Sequence, residues 1–141
     1  MKILMTCFGA FGGFTTNSTE LALSKLNYLD IDRINLPVSY PDAYVVLKEL
    51  MKECDFIILL GMAASRDKIS IEERAKNILS FKIPENSGNT ISNKPIDDSQ
   101  KEYIYSTVNI DKLIAYLNKE KEIVYKSNDA GEFICNFLYY K

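Results

Sequence analysis

Cys135 lies in the segment SNDAGEFICN, whose residues are typical of a tight turn that leads into a helix. Asn128 or Asp129 can cap that helix and Gly131 permits the turn, which places Cys135 about one turn inside. The unpaired N–H groups at a helix N-terminus favour the thiolate, the nucleophilic form of a cysteine. Cys135 is therefore a candidate nucleophile. The alternative is that it is a small buried apolar side chain.

The 141 residues contain no histidine. A cysteine nucleophile normally needs an imidazole that takes the thiol proton and passes it to the leaving group. The sequence therefore indicates a covalent reaction at Cys135 and lacks one of the groups that would carry it out.

Glu72 belongs to a second polar segment, Gly61 to Asn77, which follows the most apolar predicted strand. Apolar and polar residues alternate just before it, so Glu72 is predicted to point away from the apolar face. A carboxylate at the rim of a sheet can orient an imidazole, as the acid of a catalytic triad does. The simpler alternative is a solvated carboxylate beside Arg66 and Arg74.

A third segment, Thr6 to Phe14, follows the first predicted strand and combines glycines with aromatic residues. Glycines in this position suggest a phosphate-binding loop. The spacing, however, matches neither GxGxxG nor a Walker motif. Phe8 and Phe11 among the glycines indicate instead a flat apolar pocket for a small ring. A core-packing role for Phe8 is an equal alternative.

The composition argues against several classes of function. The net charge is −2 and Lys and Arg are scattered, so a nucleic-acid-binding face is not predicted. The longest apolar run, Phe56 to Met62, is too short for a membrane span. Three dispersed cysteines without histidine support neither a disulfide framework nor a metal site. We expect a cytoplasmic protein with no cofactor, no metal, no nucleic-acid partner and no membrane partner.

Alternating strands and helices must position these residues. Strands are predicted at 2–6, 31–38, 55–60, 69–78 and 123–126, a loop at 83–99, and helices from 17–19 through 26, at 41–54, at 108–119 and from 128–129 to 141. In the second helix, Val45, Leu47, Leu50 and Met51 are predicted to face the core. The alternation predicts one α/β domain over residues 1–141, a three-layer sandwich with a mainly parallel twisted sheet and helices on both faces. Ligands bind such sheets at the carboxyl ends of the strands.

Together, the three segments resemble the family of pyroglutamyl peptidase I, also called pyrrolidone-carboxylate peptidase. Its members are cytosolic cysteine peptidases that remove an N-terminal pyroglutamyl residue from peptides. Residues 7–13 are similar to the family's Gly-Phe-acid-Pro-Phe-Gly-Gly loop, 61–77 to its glutamate signature and 127–136 to its cysteine signature. The resemblance covers the whole chain in order and implies a phosphorylase/hydrolase-like fold and a small peptide substrate with an N-terminal pyroglutamate.

The resemblance also implies roles for individual residues. Cys135 is the nucleophile and Glu72 is the acid of the catalytic set. Asn17 helps to hold the loop or the substrate. Lys82 stands where the family usually has an arginine near the oxyanion, and a lysine keeps the charge but loses the planar fork of donors.

The implied substrate pocket is apolar. Phe8 and Phe11 would sandwich the pyroglutamyl ring, and Ile83 and Ile134 would close the pocket. Backbone groups near Met62 and Ile83 would bind the lactam amide. Ring–aromatic contact supplies affinity and shape selection for a flat lactam.

The family continues beyond the position of Lys141 with a strand that carries the catalytic histidine and with a closing helix. We therefore expect an incomplete, C-terminally shortened domain whose activity alone is absent or reduced. One alternative is that a second polypeptide supplies the histidine. Others are a non-catalytic module that binds pyroglutamate or a peptide end and, last, a phosphate-binding domain.

Two physical consequences are predicted from the missing imidazole. Glu72 becomes an uncompensated negative charge beside Cys135 and raises the pKa of the thiol, so that Cys135 is largely protonated at neutral pH. The incomplete sheet exposes an edge and the apolar residues Phe137 to Tyr140. This exposure predicts a homo-oligomer or capture of a complementing polypeptide.

Overall fold

The computed structural model describes all 141 residues, from Met1 to Lys141. They form two compact units. Unit 1 comprises residues 1–62 and 81–92, and unit 2 comprises residues 63–80 and 93–141. None of the helices in either unit has the length and apolar character needed to cross a lipid bilayer.

Unit 1 is built on three parallel strands joined by two helices. In chain order the elements are β1 (Ile3–Phe8), α1 (Ser18–Lys25), β2 (Asp32–Leu36), α2 (Asp42–Met51) and β3 (Phe56–Leu59). The strand order is β2-β1-β3, with β1 in the centre. Parallel neighbours need a long crossover connection, and the two helices supply it.

Helix α2 turns a different face to the core from the one predicted. Ala43 and Leu47 are 0% and 1% exposed, four residues apart on one side of the helix. Val45 and Leu50 are 60% and 37% exposed, so their predicted inward orientation is wrong. The apolar residues of α2 cover more than one face of the helix, and its packing uses only a narrow stripe.

Unit 2 pairs four short strands in two separate ladders. Its elements are β4 (Ile69–Glu72), β5 (Arg74–Lys76), β6 (Tyr103–Tyr105), α3 (Ile110–Leu117), β7 (Val124–Ser127) and α4 (Ile134–Tyr140). Strands β4 and β7 are parallel, with Glu72 opposite Ser127, and β5 and β6 are antiparallel. The predicted strand at 69–78 is therefore two strands, and β6 was not predicted.

A side-chain clamp closes the connection between α3 and β7. Asn118 directly follows helix α3 as its C-cap, and its Oδ1 accepts hydrogen bonds from the main-chain N–H groups of Ile123 and Val124 at 2.9 and 3.1 Å. Asn118 Nδ2 donates to the Val124 carbonyl at 2.8 Å. The intervening residues 119–122 are exposed. The clamp therefore holds the start of β7 against the end of α3, whatever conformation residues 119–122 adopt.

The C-terminal aromatic residues pack inside unit 2. Phe137, Leu138 and Tyr140 are 3%, 4% and 2% exposed, so the predicted apolar surface at this end is wrong. The Tyr140 hydroxyl donates to the Lys101 carbonyl at 2.7 Å. These side chains form the core of unit 2 together with Ala75, Leu79, Val124 and Ile134.

Candidate active site

Glu72 is the last residue of β4, and all its side-chain hydrogen bonds are made by one oxygen. Oε1 accepts from Arg66 Nη1 at 2.5 Å and from Ser70 Oγ at 3.2 Å. Oε2 is buried and has no hydrogen-bond partner. Ser70 and Glu72 share one face of β4 because side chains two apart in a strand point the same way. The carboxylate is therefore held at one oxygen and available at the other.

Arg66 provides the counter-charge for Glu72. The two side chains are 26% and 22% exposed, so the ion pair is partly shielded from water. Arg66 Nη2 also donates to the main-chain carbonyl of Asp129 at 2.8 Å. The expectation that Glu72 is an uncompensated charge is therefore wrong, because a cation already pairs with it.

Helix α4 begins later than the sequence indicates. It starts at Ile134 after the extended residue Phe133, which cannot cap a helix through its side chain, so the predicted caps Asn128 and Asp129 are wrong. Asp129 Oδ1 instead accepts from the Gly131 N–H at 3.1 Å and pairs with Lys76 Nζ at 2.9 Å. Gly131 has φ of 76°, a left-handed turn that glycine permits.

Cys135 is the second residue of α4 and carries a strongly perturbed thiol. Burial and, to a smaller extent, the negative charge of Glu72 raise its pKa, while its own backbone N–H lowers it; together they bring the pKa to about 11. The predicted direction is confirmed, and the thiol is largely protonated at neutral pH. The charge of Glu72 was predicted to be the main cause of the raised pKa, which is wrong, because burial contributes more. The Glu72 contribution also means that the carboxylate lies within electrostatic range of the thiol.

Two side chains of α4 fix its position beside β4 and β5. Asn136 is fully buried; its Oδ1 accepts from the Lys76 N–H at 2.8 Å, and its Nδ2 donates to the carbonyls of Lys76 and Ile78 at 3.0 and 2.9 Å. The Tyr139 hydroxyl donates to the Glu72 carbonyl at 2.9 Å. Sequence reasoning missed both residues. The only available signal was an amide directly after the candidate nucleophile, in a helix that is otherwise apolar.

In unit 1, Asn17 ties the aromatic loop to the start of α1. It is fully buried, and its Nδ2 donates to the Gly9 carbonyl at 2.9 Å. Its Oδ1 accepts from the N–H and the hydroxyl of Thr19 at 3.0 and 2.7 Å, which caps the helix. In this geometry Asn17 holds the loop.

Of the predicted pocket residues in unit 1, Phe11 and Ile83 lie at the surface and Phe8 does not. Phe8 is 4% exposed, as expected for the core-packing alternative. Phe11 is half-buried, and Ile83 is 44% exposed. Ile83 Cδ1 would lie 3.0 Å from a Cβ added at Gly12, so this side chain contacts the loop beside Phe11. Asn86 Nδ2 donates to the Ala10 carbonyl at 3.0 Å and joins the same two loops.

The remaining predicted residues differ widely in exposure. Met62 is half-buried and Lys82 is exposed, both in unit 1. Ile134 is 1% exposed and directly precedes Cys135 in unit 2. No three or more of the Cys, Asp and Glu side chains are grouped so that they could hold a metal ion.

Comparison with known proteins identifies the family. The family model described as pyroglutamyl peptidase matches residues 1–141. The pyrrolidone-carboxylate peptidase of Pyrococcus furiosus is 35% identical, and the alignment covers 99% of this chain and 71% of the relative. The pyrrolidone-carboxylate peptidase 1 of Caldanaerobacter subterraneus subsp. tengcongensis is 32% identical, with 99% and 72% covered. This chain belongs to the pyroglutamyl peptidase family.

Solved structures of the pyroglutamyl peptidase family share the fold. The crystal structure of pyroglutamyl peptidase I from Bacillus amyloliquefaciens superimposes with a TM-score of 0.91 at 32% identity, covering 99% of this chain and 71% of that one. A mutant pyrrolidone carboxyl peptidase from Pyrococcus furiosus gives 0.90 at 34% identity, with the same coverage. The predicted α/β class is confirmed. The relatives are named as peptidases, so the family is a family of enzymes.

Proposed function

We propose that this chain carries the thiol and acid of a cysteine peptidase that removes N-terminal pyroglutamate from peptides, and that the 141 residues alone have little activity. Cys135 is the nucleophile and Glu72 is the acid that orients its base. The observation that carries the proposal is Glu72 Oε2, a buried carboxylate oxygen without a partner, in electrostatic range of the thiol. Such an oxygen is an acceptor for a donor such as an imidazole N–H.

The weak activity follows from the protonation state of the thiol. With a pKa of about 11, roughly one Cys135 in ten thousand is a thiolate at pH 7. In the reaction, the thiolate forms a bond to the pyroglutamyl carbonyl carbon, and the peptide amine leaves with a proton. Water then releases pyroglutamate and regenerates the thiol. Without an imidazole, no group in the sequence moves the proton from sulfur to the leaving amine near neutral pH.

The substrate contacts are proposals that rest on the family resemblance. In unit 1 they are Phe8, Phe11, Asn17, Met62, Lys82 and Ile83, and in unit 2 Ile134. The contact of Ile83 with the aromatic loop supports the part of this assignment that lies within unit 1.

Chemical rescue tests the proposal. The chain is incubated with a chromogenic pyroglutamyl amide, with and without free imidazole, beside the Cys135→Ala and Glu72→Gln variants. We expect slow release of the chromophore by the wild-type chain and faster release with imidazole, because the added base restores proton transfer. We expect no imidazole-dependent release with Cys135→Ala and a smaller gain with Glu72→Gln.

Two outcomes would refute the proposal. One is an imidazole response that is the same in Cys135→Ala as in wild type, since the cysteine would then take no part. The other is full peptidase activity of the wild-type chain without any added base.

A non-catalytic binding module is the second candidate, and the protonated thiol favours it. Such a module would bind a pyroglutamyl peptide in isothermal titration calorimetry without turnover, with or without imidazole. A subunit complemented by a second polypeptide would instead gain turnover when a histidine-bearing partner is added.

We also propose a cytoplasmic location and association into a homo-oligomer or with a complementing polypeptide. Three free cysteines support a reducing compartment.

A further inference from the structure

Arg66 is the side chain that joins Glu72 to the segment leading to Cys135. Its Nη1 donates to Glu72 Oε1, and its Nη2 donates to the Asp129 carbonyl. A guanidinium holds two acceptors in a fixed relative geometry because its donors form a planar fork. The contact is partly shielded from solvent, so it constrains Glu72 more firmly than an exposed ion pair would.

We propose that Arg66 is a positioning residue of the thiol site: it fixes Glu72 by one oxygen, leaves the other oxygen free, and offsets the carboxylate charge beside Cys135. The proposal deepens the proposed function and rests on it only for the pairing of Glu72 with Cys135. Here the donors from Arg66 and Ser70 converge on Oε1, and Oε2 is buried without a partner.

Arg74 provides a matched comparison within the same unit. Its Nε donates to the main-chain carbonyl of Asn128 at 3.0 Å, one residue before Asp129. Its guanidinium carbon lies 4.0 Å from the centre of the Tyr103 ring. Arg74 thus holds the same loop as Arg66, and its hydrogen bonds go to Asn128 and Tyr105 rather than to Glu72.

The charges around the site indicate how Arg66 acts on the thiol. Besides burial and its own backbone N–H, the negative charge of Glu72 shifts the pKa of the Cys135 thiol. Glu72, Tyr125 and Asp129 raise the pKa of Arg66. Burial, Glu72 and the neighbouring Glu73 raise the pKa of Tyr139. Because Arg66 pairs with Glu72, we expect its effect on the thiol to depend on Glu72. Replacing both side chains should therefore remove that effect.

The test measures alkylation of Cys135 by iodoacetamide between about pH 8 and pH 10, followed by mass spectrometry of the peptide that carries Cys135. In wild type we expect the rate to rise about tenfold per pH unit, with no inflection in this range. In Arg66→Gln we expect about 3–10-fold slower alkylation at each pH, because the unpaired Glu72 charge raises the thiol pKa.

Three further variants separate positioning from a general structural effect. Arg74→Gln should alkylate at the wild-type rate. Arg66→Lys should recover most of the rate, because it keeps the charge. Arg66→Gln combined with Glu72→Gln should return the rate to the wild-type value or above it.

Equal rates in Arg66→Gln and Arg74→Gln would overturn the proposal, and so would a double variant as slow as Arg66→Gln alone. If Arg66→Gln does not fold by circular dichroism, the comparison of Arg66→Met with Arg74→Met decides: only the former should slow alkylation, since it removes the charge that pairs with Glu72. The readout uses no turnover. An imidazole response that persists in Cys135→Ala would therefore refute the proposed function alone, and failure of the alkylation test would refute the role of Arg66 alone.

Discussion

Asn136 connects the candidate nucleophile to the adjacent strand. It satisfies one main-chain N–H and two main-chain carbonyls of residues 76–78 while fully buried. A buried polar group that loses its partner retains the full cost of its removal from water. The stability of unit 2 and the placement of Cys135 therefore both depend on this amide.

We expect Asn136→Ala to lower the free energy of unfolding by about 2–4 kcal/mol, because three partly buried main-chain groups lose their partner. Urea denaturation measures the change. Asn109→Ala is the control, since Asn109 caps α3 through one hydrogen bond at an exposed position and should cost about 1 kcal/mol. A loss at Asn136 no larger than at Asn109 would contradict this role of Asn136.

At the scale of single residues, the sequence singled out Cys135 and Glu72 as candidates because the segments that carry them have distinctive composition. It named Arg66 only as a neighbour of Glu72 and did not identify Asn136. The role of each depends on a backbone segment about 60 residues away, Asp129 for Arg66 and residues 76–78 for Asn136. Local patterns contain no information about such long-range approaches.

At the scale of elements, the sequence placed most helices and strands and misplaced the start of α4. Asp129 is a residue type that often caps helices, yet its carboxylate accepts a hydrogen bond from the Gly131 N–H and pairs with Lys76. Gly131 then turns the chain through a left-handed conformation, and the helix starts three residues later, at Ile134. Strand β6 was missed because it is three residues long and exists only through its pairing with β5.

The loop at residues 81–92 of unit 1, which carries Ile83, is closed by a buried carboxylate. Glu85 is 2% exposed; its Oε1 accepts from the Asn89 N–H at 3.0 Å and its Oε2 from the Ser87 N–H at 3.2 Å. Burial raises the pKa of Glu85, and the backbone N–H groups of Asn89, Ser87 and Tyr40 outweigh it, so the pKa is lower than usual.

We expect Glu85→Gln to lower stability at pH 7 by about 1–3 kcal/mol, because charge-assisted hydrogen bonds to the loop are weakened. A carboxyl whose pKa is lowered in the folded state stabilises it above the unfolded pKa, and this contribution is lost as the pH falls. The difference between variant and wild type should therefore shrink below about pH 4. Urea midpoints measured at several pH values test this, with Glu49→Gln as an exposed control.

Over the whole molecule, the absence of histidine shapes the response to pH. Histidine is the side chain whose ordinary pKa lies between pH 5 and 8. Asp97 and Asp129 join Glu85 in having lowered pKa values, the first through Ser99 and the second through Lys76. Burial raises the pKa values of Cys7 and Cys135. The acids thus lose their stabilising effect as the pH falls, and the thiols lose theirs as it rises.

We expect the urea midpoint to be flat between about pH 5.5 and 7.5 and to fall on both sides of this range. Below it the carboxyls must take up protons in the unfolded state, and above it the unfolded thiols ionise. A slope within this interval equal to the uptake or release of one proton would contradict the expectation, since no side chain here titrates at its ordinary pKa in that range.

The family followed from the order of three segments along the chain, because their types and separations are distinctive even where single residues differ. The α/β class followed from the alternation of strands and helices. The division into two compact units did not follow from the sequence. Both units contain residues from two separate stretches, and no Pro- or Gly-rich linker marks a boundary.

The clamp made by Asn118 gives the protein a place where its length can change. Because both ends of the bend at residues 119–122 are already tied together, extra residues between Glu120 and Lys121 would form a surface bulge with a small entropic cost. The pairing of Ser127 with Glu72 would keep its register. This bend is therefore a natural attachment point for a fluorescent label or an affinity tag that leaves the thiol site undisturbed.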